Sequence, residues 1–407
     1  MKVLMFGWEF APIYSGGLGI ACAGLVKGLV AQGAEVTFVI PQMPREIKMK
    51  GVNVISADRR QNKNLKFKTI PSLITPYMDS AQYSQAHEFW KKRNPQANAL
   101  YGSNLLAEVA RYAEAAKEIA RTTPHDIIHC HDWMTYQAGI NAKAVSGKPL
   151  VVHIHATEFD RTGGHNINQQ VYDLERLGFE KADAVVAVSN FTKNKVVENY
   201  GIPQDKVAVA HNAVEFPDTP VERISTKDRI VLFLGRITLQ KGPDWFLYAA
   251  KKVLEKESKV KFIVAGSGDM EVQMIEKAAE LGIASHVLFT GFLTGADIDR
   301  AYKMADVYVM PSVSEPFGLT PLEAMRNGTP VIISKQSGVS EVIKHCLKVD
   351  FWDTHELANK ILGVLYYKDL QQELALQGST EVRQFSWNTP AQKVLQLYGN
   401  ILSKKRR

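Results

Sequence analysis

Two cations follow an apolar run in the second half of the chain. Arg236 comes directly after the run at residues 230–234 and Gly235, and Lys241 lies five residues further on, before Gly242. Side chains at the carboxyl end of a parallel strand face the crevice in which α/β domains bind ligands. Two cations there can bind a diphosphate and neutralise the charge that develops as it departs. A basic surface loop without a ligand is the alternative.

Two carboxylates, Glu315 and Glu323, lie eight residues apart around an apolar loop and a predicted helix start. Thr320 is typical of an N-cap and Pro321 of the first helical position, and Gly328 is expected to end the helix. One acid can accept hydrogen bonds from sugar hydroxyls and the other from ribose hydroxyls. A phosphate would rest on the helix N-terminus between them.

Three backbone N–H groups between these acids are predicted to contact a phosphate, those of Gly318, Leu319 and Thr320. The alternative is a capping box, in which Glu323 accepts a hydrogen bond from a backbone N–H at the helix start. A capping box explains Glu323 but gives Glu315 no role. We therefore favour the ligand-binding interpretation of this segment.

A glycine-rich turn, Gly16, Gly17, Leu18 and Gly19, follows the first strand and opens a predicted amphipathic helix. Glycines allow close approach of the backbone, and the free N–H groups of a helix start suit an anion. A turn required only for packing is the alternative. The dinucleotide fingerprint GxGxxG is not present, because Cys22 stands at its third glycine position. The sequence also contains no GxxxxGK[ST] phosphate loop.

Six of the eleven histidines fall between His125 and His165. The segments at residues 129–132 and 153–155 contain residue types that bind divalent metals. Neither segment offers a carboxylate at the helical HxxxH spacing, and His153 lies between core residues of a strand. We therefore expect no metal, and predict that some of these histidines hydrogen-bond a polar substrate at the edge of a sheet.

Short apolar runs alternate with amphipathic stretches along the whole chain, which is typical of β-α units in a mostly parallel sheet. The predicted strands are continuous runs rich in Val, Ile and Phe, as expected when helices cover both faces of a sheet. They span residues 3–6, 35–40, 127–129, 150–154, 184–188, 207–210, 230–234, 260–265, 287–290, 307–310 and 331–333.

We predict two doubly wound α/β domains that face each other across a cleft. The first domain is placed at residues 1–216 and the second at 217–384, with a C-terminal helix in 385–407 that crosses back to the first domain. Residues 216–228 hold two prolines and several charges, and are interpreted as an interdomain linker. The polar region at residues 43–68 is predicted to be a solvated excursion between strands.

Composition excludes several classes of protein. A chain of 407 residues at roughly 150 per domain gives two to three domains. Hydrophobic residues make up 45% and charged residues 22%, which is typical of a globular rather than a disordered chain. The net charge of +7 suits an anionic ligand but is too low to indicate a nucleic-acid partner.

The cysteines and the apolar runs indicate the cellular compartment in which the protein is expected. Cys22, Cys130 and Cys346 are odd in number and far apart, which argues against disulfides or a CxxC zinc site. No apolar run reaches the roughly 18 residues of a membrane span. Glu9 and Lys27 interrupt the best candidate for a signal peptide. We therefore expect a cytoplasmic protein.

Together these residues resemble the retaining nucleotide-sugar glycosyltransferases of the GT-B fold, in particular the glycogen and starch synthases and their relatives in glycosyltransferase family 4. The similarity extends over nearly the whole chain, and the order of the motifs is more specific than any one of them. The motifs lie at residues 8–12, 16–18, 131–133, 155, 188–189, 235–236, 241–242 and 315–323.

The resemblance implies roles for the residues of the second domain. Arg236 and Lys241 match the positions that hold the donor diphosphate and stabilise the departing nucleotide. Glu315 matches the acid that binds hydroxyls of the donor sugar, and Glu323 the acid on the ribose. Gly318, Leu319 and Thr320 match the loop and helix start that contact the phosphate and sugar.

Residues of the first domain are placed around the transferred sugar by the same resemblance. His155 matches the active-site histidine, and Asp132 an acid that lines the acceptor side. Gly17 and Leu18 would face the phosphates. Bacterial glycogen synthases carry a lysine two residues before the glycine pair, where this chain has Tyr14. That departure argues against ADP-glucose as the donor.

The function implied by the resemblance is transfer of glucose, with retention of configuration, from a nucleoside diphosphate glucose to an α-1,4-glucan, without a cofactor. The first alternative is a family 4 enzyme that acts on another glycan or on a lipid-linked sugar. A catalytically silent sugar-nucleotide binder and a metal-dependent hydrolase built on the histidines are further alternatives. UDP and ADP both remain possible as the nucleotide.

Overall fold

Two parallel β-sheets with helices on their faces make up the protein. The computed structural model describes residues 1–11, 16–41, 52–56, 105–216 and 227–404. Within these ranges, seven strands form a first sheet in the order β3-β2-β1-β4-β5-β6-β7, and six form a second in the order β10-β9-β8-β11-β12-β13. The predicted fold class, two doubly wound α/β domains facing across a cleft, is confirmed.

The strands have the following bounds. In the first sheet they are β1 (Lys2–Phe6), β2 (Glu35–Ile40), β3 (Val52–Ser56), β4 (Ile127–His131), β5 (Leu150–Ile154), β6 (Ala184–Ala187) and β7 (Val207–Val209). In the second they are β8 (Arg229–Leu234), β9 (Val260–Ala265), β10 (Val287–Gly291), β11 (Val307–Met310), β12 (Val331–Ser334) and β13 (Leu347–Val349).

The helices alternate with these strands along the chain. In the first domain they are α1 (Gly17–Ala31), α2 (Leu105–Thr122), α3 (Trp133–Ser146), α4 (Glu158–Arg161), α5 (Gln169–Lys181) and α6 (Asn190–Tyr200). In the second they are α7 (Pro243–Leu254), α8 (Glu271–Glu280), α9 (Ala296–Met304), α10 (Leu319–Arg326), α11 (Thr354–Tyr366) and α12 (Lys368–Glu381), and α13 (Asn388–Lys404) ends the described chain. None of them, within the described ranges, is long and apolar enough to cross a bilayer.

All the predicted strands are present, and two strands are found that the sequence did not predict. β3 pairs with β2 in parallel, Val36 opposite Val52, within the region that was predicted to be a solvated excursion. That prediction is wrong for residues 52–56 and otherwise falls outside the described residues, as do residues 217–226 of the predicted linker. The second missed strand, β13, spans three residues, too few to show a pattern.

Helix α1 is buried on nearly every side, although an amphipathic helix was predicted. The reason is α13, which lies across it and closes the core of the first domain with Trp387, Ala391 and Tyr398. The two helices approach closely because α1 carries glycine at the crossing. A Cβ atom on Gly24 would overlap the Trp387 indole, and one on Gly28 would overlap the Trp387 carbonyl.

The chain passes twice between the two domains, and the two passages touch. The first follows β7, and the second precedes α13. The backbone N–H of Val214 in the first passage donates a hydrogen bond to the carbonyl oxygen of Phe385 in the second, at 3.3 Å. Phe385 packs against the cores of both domains.

Helix α6 of the first domain begins against the second domain. Ser189 caps the helix by accepting a hydrogen bond from the Thr192 N–H at 2.9 Å, and its hydroxyl donates to the carbonyl oxygen of Pro316 at 2.5 Å. The N–H groups of Asn190 and Phe191 donate to the carboxylate of Glu341. A carboxylate at a helix N-terminus is stabilised by the helix dipole as well as by these hydrogen bonds.

The crossing of α1 and α13 predicts opposite effects for two helix glycines. Gly24→Ala places a methyl group against Trp387 and should lower the stability of the first domain by about 1–3 kcal/mol, because overpacking displaces buried groups. Gly363→Ala in α11 meets no atom within 4 Å and should be neutral or stabilising by up to about 1 kcal/mol. Thermal unfolding followed by circular dichroism measures both, and equal melting temperatures would contradict the close helix contact.

Candidate active site

Lys241 and Glu315 form an ion pair between two loops of the second domain, with the Glu315 side chain buried and the Lys241 side chain partly exposed. Lys241 ends the short 3-10 turn Leu239–Lys241 after β8, and its Nζ contacts Oε2 of Glu315, in the loop after β11. Ser312 Oγ donates to the same carboxylate oxygen at 3.4 Å. The next residue, Gly242, has a φ of 64° and a Cβ there would overlap the Pro311 carbonyl, so this position requires glycine.

The backbone fixes the direction of the Glu315 side chain. Its N–H donates to the carbonyl oxygen of Gln336 at 2.9 Å, and its carbonyl accepts from the Gly338 N–H at 2.9 Å. Glu315 is 6% exposed. The carboxylate is therefore held at the carboxyl edge of the second sheet, paired with a cation, before any ligand arrives.

Arg236 lies at the same edge, after β8. Its Nη2 donates to the side-chain oxygen of Gln240 at 2.9 Å, and the backbone carbonyl of buried Gln240 accepts from the N–H of Val313 at 2.9 Å. Gln240 thus connects the loop that carries Arg236 to the loop that carries Glu315. The structure brings together the two cations and the first of the two acids.

Helix α10 begins at Leu319 with Gly318 as its N-cap, so the prediction of Thr320 as N-cap and Pro321 as first helical residue is wrong. Gly318 has a φ of 102°, and a Cβ there would lie 3.2 Å from the Glu315 side chain. The hydroxyl of Thr320 accepts a hydrogen bond from buried Tyr308 at 2.7 Å. As predicted, the helix ends before Gly328, whose φ is 74°.

Glu323 does not form the alternative capping box, because the start of α10 has no side-chain cap hydrogen bond. Its Oε2 instead accepts from the hydroxyl of Tyr302 at 3.2 Å. Burial raises the pKa of Glu323, and the charge of Arg326 and the Tyr302 hydrogen bond oppose that shift. The backbone of Gly318, Leu319 and Thr320 lies between Glu315 and Glu323, as the phosphate-contact interpretation requires.

In the first domain, α1 begins at Gly17 with Gly16 as N-cap. The position of a Cβ on Gly17 has no described atom within 4 Å, whereas one on Gly16 would lie 2.9 Å from Oε2 of Glu9. Leu18 is buried in the core, so only its backbone can contact a ligand. Tyr14 and Ser15, where the chain departs from the bacterial glycogen synthases, lie outside the described residues.

Glu9 is a candidate site residue that the sequence reasoning did not select. Its Oε2 accepts from the Gly19 N–H at 3.1 Å, and its Oε1 is buried without a hydrogen-bond partner among the described residues. Burial raises the pKa of Glu9 to about 8. The hydrogen bond from Gly19 and the charge of Arg236 in the opposite domain reduce this upward shift. The sequence does contain a feature that could have identified Glu9. It is an acidic residue between two aromatic residues shortly after β1, where an apolar core residue is expected.

Asp132 positions the loop after β5. It has a φ of 59°, uncommon for a residue other than glycine, and its Oδ1 accepts from the backbone N–H of His155 at 2.7 Å and of Ala156 at 3.4 Å. Burial raises the pKa of Asp132 to about 7. The structure therefore brings Asp132 and His155 together, and Oδ1 of Asp132 is engaged in hydrogen bonds with the protein backbone.

His155 is a neutral imidazole beside the cleft. Burial lowers its pKa to about 3, and its Nε2 lies 3.0 Å from Nδ1 of His131. His129, His131 and His153 are 0–2% exposed, so the predicted substrate contact does not extend to these three. Unlike Arg236 and Lys241, a neutral His155 can contribute hydrogen bonding but no positive charge.

One contact joins the His155 segment to the Glu315 segment across the domains. Oδ1 of Asp160 in α4 accepts from Lys195 Nζ at 2.6 Å and from Ser314 Oγ of the second domain at 2.5 Å. Burial raises the pKa of Asp160, but the charge of Lys195 and hydrogen bonds from Lys195, Ser314 and Thr157 outweigh it, and the pKa is lowered. The segment after β5, which carries His155, thus contacts the loop after β11, which carries Glu315.

Comparison with known families agrees with this arrangement. The family model described as starch synthase catalytic domain matches residues 2–207, and the model described as glycosyl transferases group 1 matches residues 216–379. Each model covers one sheet and its helices.

Relatives match most of the chain. An uncharacterized glycosyltransferase of Methanocaldococcus jannaschii is 33% identical over 362 residues, covering 85% of this chain and 83% of the relative. The glycogen synthase of Mycobacterium tuberculosis is 25% identical, covering 84% of this chain and 80% of the relative. The structure of sucrose-phosphate synthase from Thermosynechococcus elongatus has the same fold, with a TM-score of 0.76, 20% identity, and coverage of 99% of this chain and 100% of that one.

The buried carboxyl group of Glu9 predicts a pH dependence of stability. Because its pKa is raised from 4.5 to about 8, the folded protein holds a proton that the unfolded chain releases, and stability falls as the pH rises through this interval. Glu9→Gln keeps an acceptor for Gly19 and removes the ionisation. The melting temperature of this variant relative to the wild type should be higher at about pH 9 than at about pH 5. The same difference at both pH values would contradict the buried, protonated carboxyl.

Proposed function

This chain belongs to the glycogen and starch synthase-like glycosyltransferases of the GT-B fold, and we propose that it transfers glucose from a nucleoside diphosphate glucose to an α-1,4-glucan with retention of configuration. The observation that carries the proposal is the Lys241–Glu315 pair beside Arg236. This pair supports the proposal because two neighbouring cations can stabilise a departing diphosphate and a carboxylate can accept hydrogen bonds from sugar hydroxyls. A family 4 enzyme acting on another glycan or on a lipid-linked sugar is the second candidate.

In the proposed reaction, the donor lies on the second domain with its diphosphate at Arg236, Lys241 and the start of α10. The nucleotide departs from the face of the sugar that the acceptor attacks, and a phosphate oxygen takes the acceptor proton. No enzyme nucleophile and no cofactor are required. The protein contributes fixed charges and dipoles that stabilise the leaving diphosphate and the oxocarbenium-like sugar.

Separate roles follow for the remaining site residues. The carboxylate of Glu315 accepts hydrogen bonds from donor-sugar hydroxyls, and that of Glu323 from the ribose. His155 donates or accepts a hydrogen bond at the transferred sugar, since its neutral ring cannot act as a cation. Asp132 holds the His155 backbone toward the acceptor side, and Gly17 leaves space for the donor phosphates.

Replacement of either cation should reduce turnover while the protein stays folded. Arg236→Ala and Lys241→Ala are each expected to lower kcat by on the order of 10²-fold, because each removes charge from the leaving diphosphate. Glu315→Gln should be impaired as well, since the amide cannot pair with Lys241. The matched control is Lys256→Ala on the exposed surface of the same domain. Near-normal kcat in both cation variants would be incompatible with this mechanism.

Donor and acceptor are identified by a crossed panel. Labelled UDP-glucose and ADP-glucose are each offered with glycogen, malto-oligosaccharides or no acceptor, and both nucleotide release and label in the glucan are measured. We expect incorporation into an α-glucan with one preferred nucleotide. Nucleotide release without incorporation into either acceptor would favour the second candidate, and no release from any donor would indicate a silent binder.

A further inference from the structure

Four histidines line one face of the first sheet below the cleft. β4 and β5 are neighbours in register, with His131 opposite His153. Alternate residues of a strand point to the same face, so His129, His131, His153 and His155 lie together. The ring centroids of His129, His131 and His153 are 4.6 to 5.4 Å apart.

The ring nitrogens of three of these histidines are not satisfied by the described protein. His129, His131 and His153 are buried, and Nε2 of His129, Nε2 of His131 and both nitrogens of His153 have no hydrogen-bond partner among the described residues. Buried polar atoms in native proteins are almost always paired with protein, water or an ion. Four such atoms in one cluster therefore point to a bound group.

The nitrogens that are paired have the arrangement expected around a metal. A histidine that binds a metal through one nitrogen generally donates the N–H of the other to a fixed partner. Nδ1 of His129 lies 2.5 Å from the hydroxyl of Tyr398 in α13, and Nδ1 of His131 lies 3.0 Å from Nε2 of His155. With protons on both Nδ1 atoms, the two Nε2 lone pairs are available for coordination.

We propose that His129, His131 and His153 bind a zinc ion in the core of the first domain. One ring nitrogen from each lies within 4.8 Å of the others. Zinc bonds of about 2.1 Å in a tetrahedral geometry hold three nitrogens about 3.4 Å from one another, so binding would draw the three rings closer together. Imidazole ligands alone suit zinc and disfavour magnesium and calcium, which bind oxygen.

A second set of candidate ligands overlaps the first. Cys22 on α1 lies within 4.8 Å of ligand atoms of His131 and His155. Since His131 belongs to both sets, one ion occupies one set or the other. An ion at the Cys22 set would leave Nε2 of His129 and both nitrogens of His153 without partners among the described residues, so the three-histidine set is the one we assign.

The proposed ion is structural and does not depend on the sugar transferred. It would join β4 and β5 and, through Tyr398, helix α13. It would also determine the tautomer of His155. Coordination of His131 through Nε2 leaves its Nδ1–H to donate to Nε2 of His155, and the single proton of neutral His155 then lies on Nδ1.

Metal content of the full chain, purified without a histidine tag and loaded with zinc, tests the proposal. We expect about one zinc per chain after dialysis, with a water molecule as the fourth ligand of the three-histidine site. His153→Leu should abolish binding. His125→Gln is the matched control, since both nitrogens of buried His125 are paired, with Thr123 and with Ser146. It should keep the zinc.

A milder variant and two physical readouts cover the case in which His153→Leu fails to fold. Tyr398→Phe removes only the hydroxyl beside His129 and should weaken zinc affinity about 10–100-fold. Cobalt in place of zinc should give the visible absorption of a tetrahedral site. A chelator should lower the melting temperature of the wild type, and zinc but not magnesium should restore it. Absence of bound zinc after loading, or equal zinc in the wild type and His153→Leu, would overturn the proposal.

Discussion

The site depends on an ion pair that is formed and partly shielded from water before any substrate binds. Lys241 and Glu315 come from loops after β8 and β11, and each charge compensates the other, with the Lys241 side chain 20% and the Glu315 side chain 8% exposed. The surroundings hold the two loops in the required register: Gly242 permits the turn next to Pro311, and Gln240 connects the loops. An anionic ligand that enters therefore meets cations already fixed in place, which is the condition for electrostatic catalysis.

The sequence predicted the architecture well because parallel strands buried on both faces are continuous apolar runs. Such runs cannot be mistaken for alternating surface strands, and their order with helices fixes the fold class. Arg236, Lys241 and Glu315 were predicted to lie close together for a related reason, since the carboxyl ends of these strands share one edge. β3 was missed because its neighbours are polar, and only pairing with β2 makes it a strand.

Contacts between residues distant in the sequence determine the features that the sequence did not predict. Thr320 is a residue type that often occupies the N-cap position. Its hydroxyl instead accepts a hydrogen bond from Tyr308, and Gly318 occupies the N-cap position. The helical HxxxH spacing does not describe these histidines, because their cluster arises from two adjacent strands. Glu9 stands between core aromatic residues in the sequence, and only the folded structure shows that its carboxyl group is buried and that the charge of Arg236 in the other domain lowers its pKa.

The hydrogen bond between Val214 and Phe385 has a mechanical consequence. Two rigid bodies that are joined by two adjacent tethers cannot slide past each other or separate. The motion that these tethers restrain least is a swing about the short line through both of them, and a wide swing would break the hydrogen bonds of Ser189 with Pro316 and of Ser314 with Asp160. The distance between the two domains then changes least beside this hinge and most at the rim farthest from it.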